Sequence, residues 1–488
     1  MGEARTDTAS GGLVVAAHQA AADAGASALA RGGTAVDAAI ATAFALTVVD
    51  PASCGLGGYG GFLVYAPPAG PPVQVDFNTW APRRLDPALL RIPGDTTHRR
   101  DGGPSVAPPA VVPGLLAAHG LLGRCPLAEV VAPAIRLARD GFAIGRDLTS
   151  ALSDHWERTE GGEPAFAAIF LPSGGPPERG SLLVQPDLAV TLETIARDGV
   201  EPFRTGPIVD AMCATALADG GFLEPGDLDH DGVLFGAPEQ EAFGPARLYG
   251  PSRETSGAGV LFSALGHLET SRLGRDRGRE YVSELARALR LAWDERTRAA
   301  KAALSSQHTT HLCAADAEGG LASLTLTHGH RRFGSGLVAA GTGIVLNSGI
   351  NLFAPTAAGP LAVTNMTPVI VEEANGDRHA IGSVGGPRIP GIMLCAVVDL
   401  VHYGASIADA IAAPNLAVRP VDGALEAEAE LLALMDAGEN GLPLVAAVSF
   451  GTTCGITTTS AGAIPGPDHR FEYGVARAPR ASPPRREG

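Results

Sequence analysis

The sequence contains almost no lysine and no long block of like charges. Lys301 is the single lysine among 488 residues, and it does not follow a glycine, so the chain cannot form a phosphate-binding GxxxxGK[ST] loop. The same residue is the one candidate for lysine Schiff-base chemistry. The formal net charge is -16 without a long run of either sign. This pattern argues against nucleic acid and an anionic membrane surface as partners.

Closely spaced cysteines are also absent. The chain contains no CxxC pair, so the spacing predicts neither a disulfide framework nor a zinc site. Buried free thiols are the favoured interpretation for the scattered cysteines, which are Cys54, Cys125, Cys213, Cys313, Cys395 and Cys454.

Long apolar runs are missing as well. No stretch of about 18 uncharged apolar residues, the length of a membrane-spanning helix, occurs in the chain. The first residues, MGEARTDTASGG, lack the basic start and apolar core of a signal peptide. We therefore expect a cytoplasmic protein.

One acidic loop, DLDHDG, resembles the beginning of a calcium-binding loop. Asp227, Asp229, Asp231 and Gly232 occupy its first positions, but Pro238 stands at the twelfth, where a bidentate glutamate is required. We interpret the segment as an ordinary acidic loop. The sequence predicts no bound metal and no cofactor.

The predicted secondary structure changes near residue 305 from mostly helices to mostly short strands. Before it, apolar spacings of three and four predict two helices in 12–49, broken at Gly32–Gly33, and further helices at 113–145, 186–199 and 281–303, with Asp187 as an N-cap. Alternation predicts a hairpin from FLVYA and VQVDF. After it, short β-type runs separated by turns precede a helix at 389–404. Helices enclosing two sheets in one compact domain suit this order.

Two threonines begin one of the predicted hairpins, in the stretch SSQHTTHLCAA at 305–315. They are either ordinary strand residues, since threonine suits strands, or the chain cuts itself before Thr309. In the second case the freed α-amine, with a pKa of about 7.7 to 8.0, becomes the base for the Thr309 hydroxyl. The residues alone leave both interpretations open.

Two glycine-rich segments offer a similar choice. SVGGPRIPGIML runs from a strand into an apolar helix, so Gly385 and Gly386 either form a plain helix-start turn or point their amides at a negative oxygen. GLGGYGG at 55–61 precedes a strand rather than a helix. It therefore fits close backbone packing better than phosphate binding.

Several longer motifs resemble the gamma-glutamyltransferase family of N-terminal-nucleophile hydrolases. The likeness covers most of the chain. It includes GGTAVDAAIATAFALTVVDPASCGLGGYGGFLVY (32–65), VVAPAIRLARDGFAI (130–144) and QPDLAVTLETIARDG (185–199). The most specific pieces are TTHLCAADAEG, FGSGLVAAGTGIVLN (333–347), TNMTP (364–368) and GSVGGPR (382–388).

This resemblance implies an α+β fold, the four-layer αββα sandwich of the N-terminal-nucleophile hydrolases. It implies one precursor that is cut between His308 and Thr309 into a large subunit, 1–308, and a small subunit, 309–488, which remain one compact domain. Matched by motif, Thr309 is the nucleophile and Thr327 orients it. Gly385 and Gly386 form the oxyanion hole.

The positions that hold the γ-glutamyl group in this family are changed here. Asn78, in DFNTWAP, stands where the family has an arginine for the substrate α-carboxylate. Gly349 and Leu352, in LNSGINLF, stand in the motif that holds the α-amine. Thr364–Asn365 replaces a serine pair. Neither Asn78 nor Leu352 can make the charge-assisted hydrogen bonds of the residue it replaces.

Two loops depart from the family as well. APTAAGPLAV, at 354–363, is short where some members carry a lid, so we expect an open pocket. THGHRRFG, at 327–334, has one inserted residue and places His328, Gly329 and His330 where the family usually has an asparagine.

Together these features predict a self-processing threonine hydrolase with altered substrate recognition. The preferred reaction is hydrolytic cleavage of a carbon-carbon or acyl bond in a small biosynthetic intermediate, because a family branch in antibiotic biosynthesis, on routes to 4-alkylproline units, cleaves carbon-carbon bonds. Hydrolysis or transfer of a γ-glutamyl or side-chain amide, as in the cephalosporin acylases, is one alternative. A non-catalytic relative that binds a ligand or partner is another. The expected partner is a small-molecule substrate, and oligomerisation beyond the two subunits is left open.

Overall fold

Two antiparallel sheets face each other at the centre of the molecule. The structure, a computed structural model, describes residues 11–86, 88, 101–229, 232–300, 308–329, 331–356, 359–420, 422–435, 443–447 and 450–478. The first sheet has seven strands in the spatial order β22-β1-β9-β10-β2-β3-β6. These are β1 (Gly12–Ala16), β2 (Gly60–Ala66), β3 (Val73–Asp76), β6 (Leu234–Gly236), β9 (His308–Asp316), β10 (Leu321–Gly329) and β22 (Gly474–Arg477).

The second sheet has six strands in the order β21-β20-β16-β15-β8-β7. They are β7 (Glu239–Phe243), β8 (Ala246–Gly250), β15 (Val369–Glu372), β16 (Arg378–Ser383), β20 (Thr453–Thr459) and β21 (Gly462–Gly466). The described residues also form three two-stranded sheets and one three-stranded sheet. The two-stranded sheets are β4 (Phe142–Ala143) with β5 (Leu182–Leu183), β11 (Val338–Ala339) with β12 (Ile344–Val345), and β13 (Phe353–Thr356) with β14 (Gly359–Ala362). The three-stranded sheet contains β17 (Leu416–Val418), β18 (Leu425–Ala427) and β19 (Leu444–Ala446).

Helices cover the outer face of each sheet. One apolar core joins the first sheet to α1 (Gln19–Ala30), α2 (Ala35–Val49), α3 (Val111–Leu122), α4 (Leu127–Asp140), α5 (Arg146–Thr159), α6 (Pro164–Phe170), α7 (Pro186–Asp198), α8 (Pro207–Ala218) and α9 (Pro225–Leu228). A second core joins the other sheet to α10 (Ala258–His267), α11 (Arg279–Ala300), α12 (Ile389–Val401), α13 (Ile407–Ala412) and α14 (Ala429–Leu432). The predicted four-layer αββα sandwich is confirmed.

The inner faces of the sheets form a third apolar core. Side chains of β1 and β9 meet those of β16 and β20 there, including Leu13, Val15, Ala380 and Ile456. Burial on both faces explains why β1, GLVVA, reads as a continuous apolar run rather than as an alternating one.

Three sequence predictions need correction. Residues 12–16 form the strand β1 rather than helix, because GLVVA is a short apolar run that periodicity alone cannot distinguish from a buried helix. The stretch 113–145 contains two helices, α3 and α4, separated at Gly123–Pro126. Asp187 lies in the first turn of α7, and Gln185 is the N-cap.

The acidic loop has a structural role in the described residues. The Asp227 carboxylate is buried and accepts hydrogen bonds from the backbone amides of Arg83 (2.9 Å) and Glu224 (3.0 Å). Asp231 and Lys301 lie outside the described residues. Among the helices that the structure describes, none combines the length and apolar character needed to cross a bilayer.

Candidate active site

Thr309 lies at the beginning of β9, where the pairing with β10 is irregular. Leu326 pairs with Thr310 and Gly329 pairs with His308, so β10 carries one extra residue between these pairs. This β-bulge coincides with the residue inserted in THGHRRFG, and such bulges often re-aim a side chain next to an active site. Thr309 is only 4 % exposed, and its Oγ1 makes no hydrogen bond to any described residue. Its hydroxyl is therefore buried yet free to react.

Thr327 holds the peptide bond that precedes Thr309. Its hydroxyl donates a short hydrogen bond to the His308 carbonyl oxygen, and its Oγ1 accepts one from the Gly329 amide at 2.9 Å. Because the Gly329 amide uses an Oγ1 lone pair, the Thr327 proton is directed at the carbonyl. A donor on this oxygen withdraws electron density from the carbonyl carbon, and it would stabilise the oxyanion formed if Thr309 attacked there.

The glycine pair adopts a backbone that other residues rarely adopt. The φ angles of Gly385 and Gly386 are 136° and 63°, and a Cβ on Gly385 would lie 2.9 Å from the Gly451 Cα. The structure records no hydrogen bond from either amide to a described residue. The pair follows β16 directly and leads through a 3-10 turn, Gly386–Arg388, into α12. Two free amides at such a turn can bind a negative oxygen.

A cavity of about 550 Å³ opens beside Thr309. A volume of this size suits a small-molecule ligand. His308, Thr309 and Gly385 line it together, so the structure brings three of the predicted site residues to one place. Aromatic and charged side chains form much of the remaining wall, namely Phe450, Phe471, Tyr473, Asp50, Asp147, Glu426, Arg332, Arg388 and Arg419.

Asp50 is the most perturbed charged group in this wall. Part of the residue reaches solvent, but the carboxyl group is enclosed by protein, and this burial raises its pKa from 3.8 to about 7. The Ser53 and Thr310 hydroxyls partly oppose the shift. The ionisable groups that interact with the carboxyl are Asp147, Arg332, Cys54 and Tyr473. Near neutral pH, Asp50 can therefore give or take a proton.

Most of the cationic groups in the wall already have acidic partners. Arg388 Nε donates to the buried Glu426 carboxylate at 2.6 Å, and its guanidinium lies 5.8 Å from the centre of the Phe450 ring. Arg419 pairs with Asp422, and Arg332 pairs with Asp154 at 2.8 Å. The cavity thus presents neutralised ion pairs and aromatic rings rather than an excess of positive charge.

The position of the missing arginine is now an acceptor site. The Asn78 side-chain nitrogen donates to Asp76 at 2.7 Å, while its Oδ1 is buried without a partner among the described residues. Burial raises the Asp76 pKa. Asn78 lies close to Thr327, because a Cβ on Gly60 would lie 2.7 Å from the Asn78 Cα and Gly60 pairs with Thr327 in the sheet. Asn78 and Asp76 therefore present oxygen atoms at this position, where the resemblance implied an arginine guanidinium.

The other altered positions are filled or held by the protein itself. Leu352 is 1 % exposed and packs with Tyr59, Phe62 and Met366. Gly349 has no room for a side chain, since a Cβ would lie 2.9 Å from the Tyr59 Cβ.

The pair that replaces the two serines is equally buried. Thr364 and Asn365 are 1 % and 4 % exposed. The Thr364 carbonyl accepts from Arg296 at 2.8 Å. Across the described part of the chain, the residues that line the Thr309 cavity include none of Asn78, Gly349, Leu352, Thr364 and Asn365.

The histidine next to Thr327 is neutral. His328 is buried, and burial lowers its pKa to about 3, so it does not titrate near neutral pH. Its ring fills the space beside Gly55, where a Cβ would approach to 2.4 Å of the ring. His330 lies outside the described residues. His328 therefore fits a packing role better than that of the missing asparagine.

Sequence reasoning missed several residues of the cavity. Asp50 directly follows α2, a helix that is buried along its whole length. A carboxylate next to such a buried apolar segment is a sequence signal that could have indicated a functional residue. Three further residues, Arg388, Glu426 and Tyr473, are far apart in the sequence and converge only in the fold. No spacing in the sequence relates them.

The chain resembles known proteins over most of its length. The family profile described as Gamma-glutamyltranspeptidase matches residues 21–303 and 297–477. Acylase ACY 1 proenzyme from Pseudomonas sp. (strain V22) is 29% identical over 469 residues, which cover 85% of this chain and 84% of the relative. Glutathione hydrolase proenzyme from Escherichia coli (strain K12) is 28% identical over 469 residues, covering 83% and 80%.

A solved structure supports the fold over nearly the whole chain. The crystal structure of cephalosporin acylase from Bacillus halodurans superposes with a TM-score of 0.83 at 23% identity, covering 98% of this chain and 97% of that one. At this identity the likeness shows the shared fold.

Proposed function

Because the chain belongs to the gamma-glutamyltranspeptidase family and is an N-terminal-nucleophile hydrolase, we propose that it cuts itself before Thr309 and then hydrolyses a substrate whose acyl part is not a γ-glutamyl group. The observation that carries this proposal is that the positions which hold the γ-glutamyl group in the family lack the expected charged side chains. Leu352 is packed into an apolar cluster, and Asn78 presents a buried acceptor beside the Asp76 carboxylate.

The contacts around the His308–Thr309 bond support self-cleavage. The Thr309 oxygen attacks the His308 carbonyl carbon, and the Thr327 hydroxyl stabilises the oxyanion. The C–N bond then breaks, the amide nitrogen takes the hydroxyl proton, and an ester to Thr309 remains. Water hydrolyses this ester, which leaves a free α-amine on Thr309. That amine then serves as base for the neighbouring hydroxyl.

Substrate turnover reuses the same oxygen. Thr309 attacks a substrate carbonyl, and the free amides of Gly385 and Gly386 bind the developing oxyanion. The leaving group departs with the proton that the α-amine collected, and water completes the hydrolysis of the acyl-enzyme. The cavity with Phe450, Phe471 and Tyr473 receives a flat or apolar substituent more readily than a zwitterionic amino acid.

A second candidate is hydrolysis of a carbon-carbon bond next to a carbonyl, in a small biosynthetic intermediate. A carbon leaving group must be protonated as the bond breaks. Asp50, whose pKa is about 7, lines the same cavity and is a proton donor well matched to neutral pH. The nucleophile and the oxyanion donors would be the same in both reactions.

One gel tests the self-cleavage step. Wild-type protein should yield fragments 1–308 and 309–488, Thr309→Ala should remain one band, and Thr309→Ser should still be cut because it keeps the hydroxyl. A folded wild-type protein that stays intact would refute the proposed nucleophile.

A substrate panel tests the acyl preference. We expect aromatic and aliphatic N-acyl anilides to exceed a γ-glutamyl anilide in kcat/KM by at least about tenfold, the effect of one lost charged contact of about 1.4 kcal/mol. A 1,3-diketone that yields a carboxylic acid and a methyl ketone would reveal carbon-carbon cleavage. If the γ-glutamyl anilide were the best substrate, the proposal would fail even though self-cleavage occurred.

A further inference from the structure

A histidine and two cysteines meet between the two sheets, behind the nucleophile. His311 and Cys313 lie on β9, and Cys454 lies on β20 of the facing sheet. One ligand atom from each residue lies within 4.8 Å of the other two, and all three residues are buried. His311 Nε2 is 3.2 Å from Cys313 Sγ. Imidazole and thiolate are the ligands that Zn²⁺ and Cu⁺ prefer.

The imidazole ring is oriented for coordination. His311 Nδ1 lies 2.8 Å from the Thr325 hydroxyl on the adjacent strand, and donation of the Nδ1 proton to Thr325 leaves the Nε2 lone pair facing Cys313. A second hydrogen bond of this kind typically accompanies metal-binding histidines. The ring also fits against Gly382, where a Cβ would lie 2.3 Å from Cε1.

The sulfur atoms have only weak alternative partners. Cys313 Sγ lies 3.8 Å from the Cys454 carbonyl oxygen, and Cys454 Sγ lies 3.8 Å from the Val15 carbonyl oxygen and 3.7 Å from that of His311. Thiol contacts of this length satisfy the groups poorly. Ser323 lies directly opposite Cys313 in the strand register, so a hydroxyl oxygen is available beside the cluster.

We propose that His311, Cys313 and Cys454 bind one thiophilic d¹⁰ metal ion, Zn²⁺ or Cu⁺, which fastens the two sheets together. Three ligands complete the coordination of Cu⁺, whereas Zn²⁺ needs a fourth, for which an oxygen such as that of Ser323 is required. The positive ion would offset the cost of burying thiolate charge. The cysteine spacing gave no sign of this site because the third ligand comes from the other sheet.

The site stands apart from catalysis but lies close to it. His311 and Thr309 point to the same face of β9, because side chains two residues apart share a face of a strand. A bound ion would therefore fix the strand that carries Thr309 without contacting the substrate. Its existence does not depend on which bond the enzyme cleaves.

The test measures metal content in the full chain. Protein is expressed in metal-depleted medium supplemented with Zn²⁺ or with copper, because a buried site must be loaded during folding. We expect about one ion per chain in one of the two arms, with a lower melting temperature for the metal-depleted protein. X-ray absorption at the metal edge should show two sulfur ligands, at about 2.3 Å in the zinc arm.

Variants distinguish this site from adventitious binding. Cys313→Ser and Cys454→Ser should each lose the ion, while Cys395→Ser, which changes a buried free cysteine in α12, should keep it. Wild-type protein that contains less than about 0.1 ion per chain in both arms would overturn the proposal. So would an ion that remains in both cluster variants. The wild-type measurement decides the matter even if a variant fails to fold.

Discussion

Replacing Thr327 with valine removes the hydroxyl that binds the His308 carbonyl while keeping the shape of the side chain. In the structure this hydroxyl is fully buried and makes two hydrogen bonds, to the His308 oxygen and from the Gly329 amide. Removal of one donor from an oxyanion site typically slows a reaction by about 10²–10³-fold, equivalent to about 2.7–4 kcal/mol. We expect self-cleavage of Thr327→Val to slow by that factor.

The assay is a time course of cleavage after synthesis in a cell-free system, followed as the fragments 1–308 and 309–488 appear. Thr327→Ser keeps the hydroxyl donor, so its rate of self-cleavage should lie within about threefold of the wild-type rate. A fivefold change in rate would already mean that about 1 kcal/mol of stabilisation had been lost. Thr342→Val is the matched control. The Thr342 hydroxyl likewise donates a hydrogen bond to the Ala339 carbonyl oxygen and accepts one from the backbone amide of Ile344, two residues ahead.

Loss of stability is separated from loss of chemistry in the same series. Leaving a buried donor or acceptor unpaired costs about 1–3 kcal/mol, so both valine variants should unfold at lower urea concentration. Only Thr327→Val should cleave slowly. If Thr327→Val processed as fast as Thr342→Val, the role of Thr327 at the scissile carbonyl would be refuted.

Three further predictions concern the cavity and its surroundings. The Asp50 pKa is raised from 3.8 to about 7, so its contribution to stability is complete below pH about 4 and is lost as the pH rises to about 7, by at most about 4 kcal/mol. Asp50→Asn should flatten this part of the stability profile in urea unfolding at pH 5 and 8, and an unchanged slope would contradict the shift. Asn78→Arg should give no γ-glutamyl turnover in an anilide assay, because Asp76 is placed to pair with the new guanidinium and Leu352 still offers no charge to the substrate α-amine. Rapid turnover would show that the arginine alone had been missing. Arg388→Met should lower the free energy of unfolding by about 1–3 kcal/mol, since the buried Glu426 then keeps only its longer contact to Arg419, at 3.9 Å. The double variant with Glu426→Leu should recover most of that loss, and failure to recover would mean that the ion pair is not the cause.

The fold could be predicted from the sequence wherever local and global preferences agree. The α2 segment is apolar almost all round and therefore predicts a buried helix, which the structure contains, with a capping box of Thr34 and Asp37 at its start. β1 was mistaken for helix because five apolar residues carry no usable period. Its identity depends on pairing with β9 and β22, which are distant in sequence.

The candidate site divides in the same way. Thr309, Thr327 and the glycine pair could be found because motifs and turn chemistry surround them. Asp50, Arg388 and Glu426 could not be grouped, since a pKa shift and an ion pair depend on burial and distance. The role of Thr309 as nucleophile remains a prediction for the gel to test.

The proposed nucleophile and the altered substrate positions are supported by different parts of the fold, so the proposed nucleophile can persist while the substrate positions change. The fold itself holds these site residues in place. A strand bulge lies at Thr309, a buried hydrogen bond to the His308 carbonyl holds Thr327, and positive φ angles define the glycine pair. At two of the altered positions, Asn78 and Leu352, the change lies in the side chain, and Leu352 packs in an apolar cluster with Tyr59 and Met366. A substitution that fills a polar pocket with apolar atoms stabilises the core as it removes the old specificity, so selection for a new substrate would meet little structural resistance at these positions.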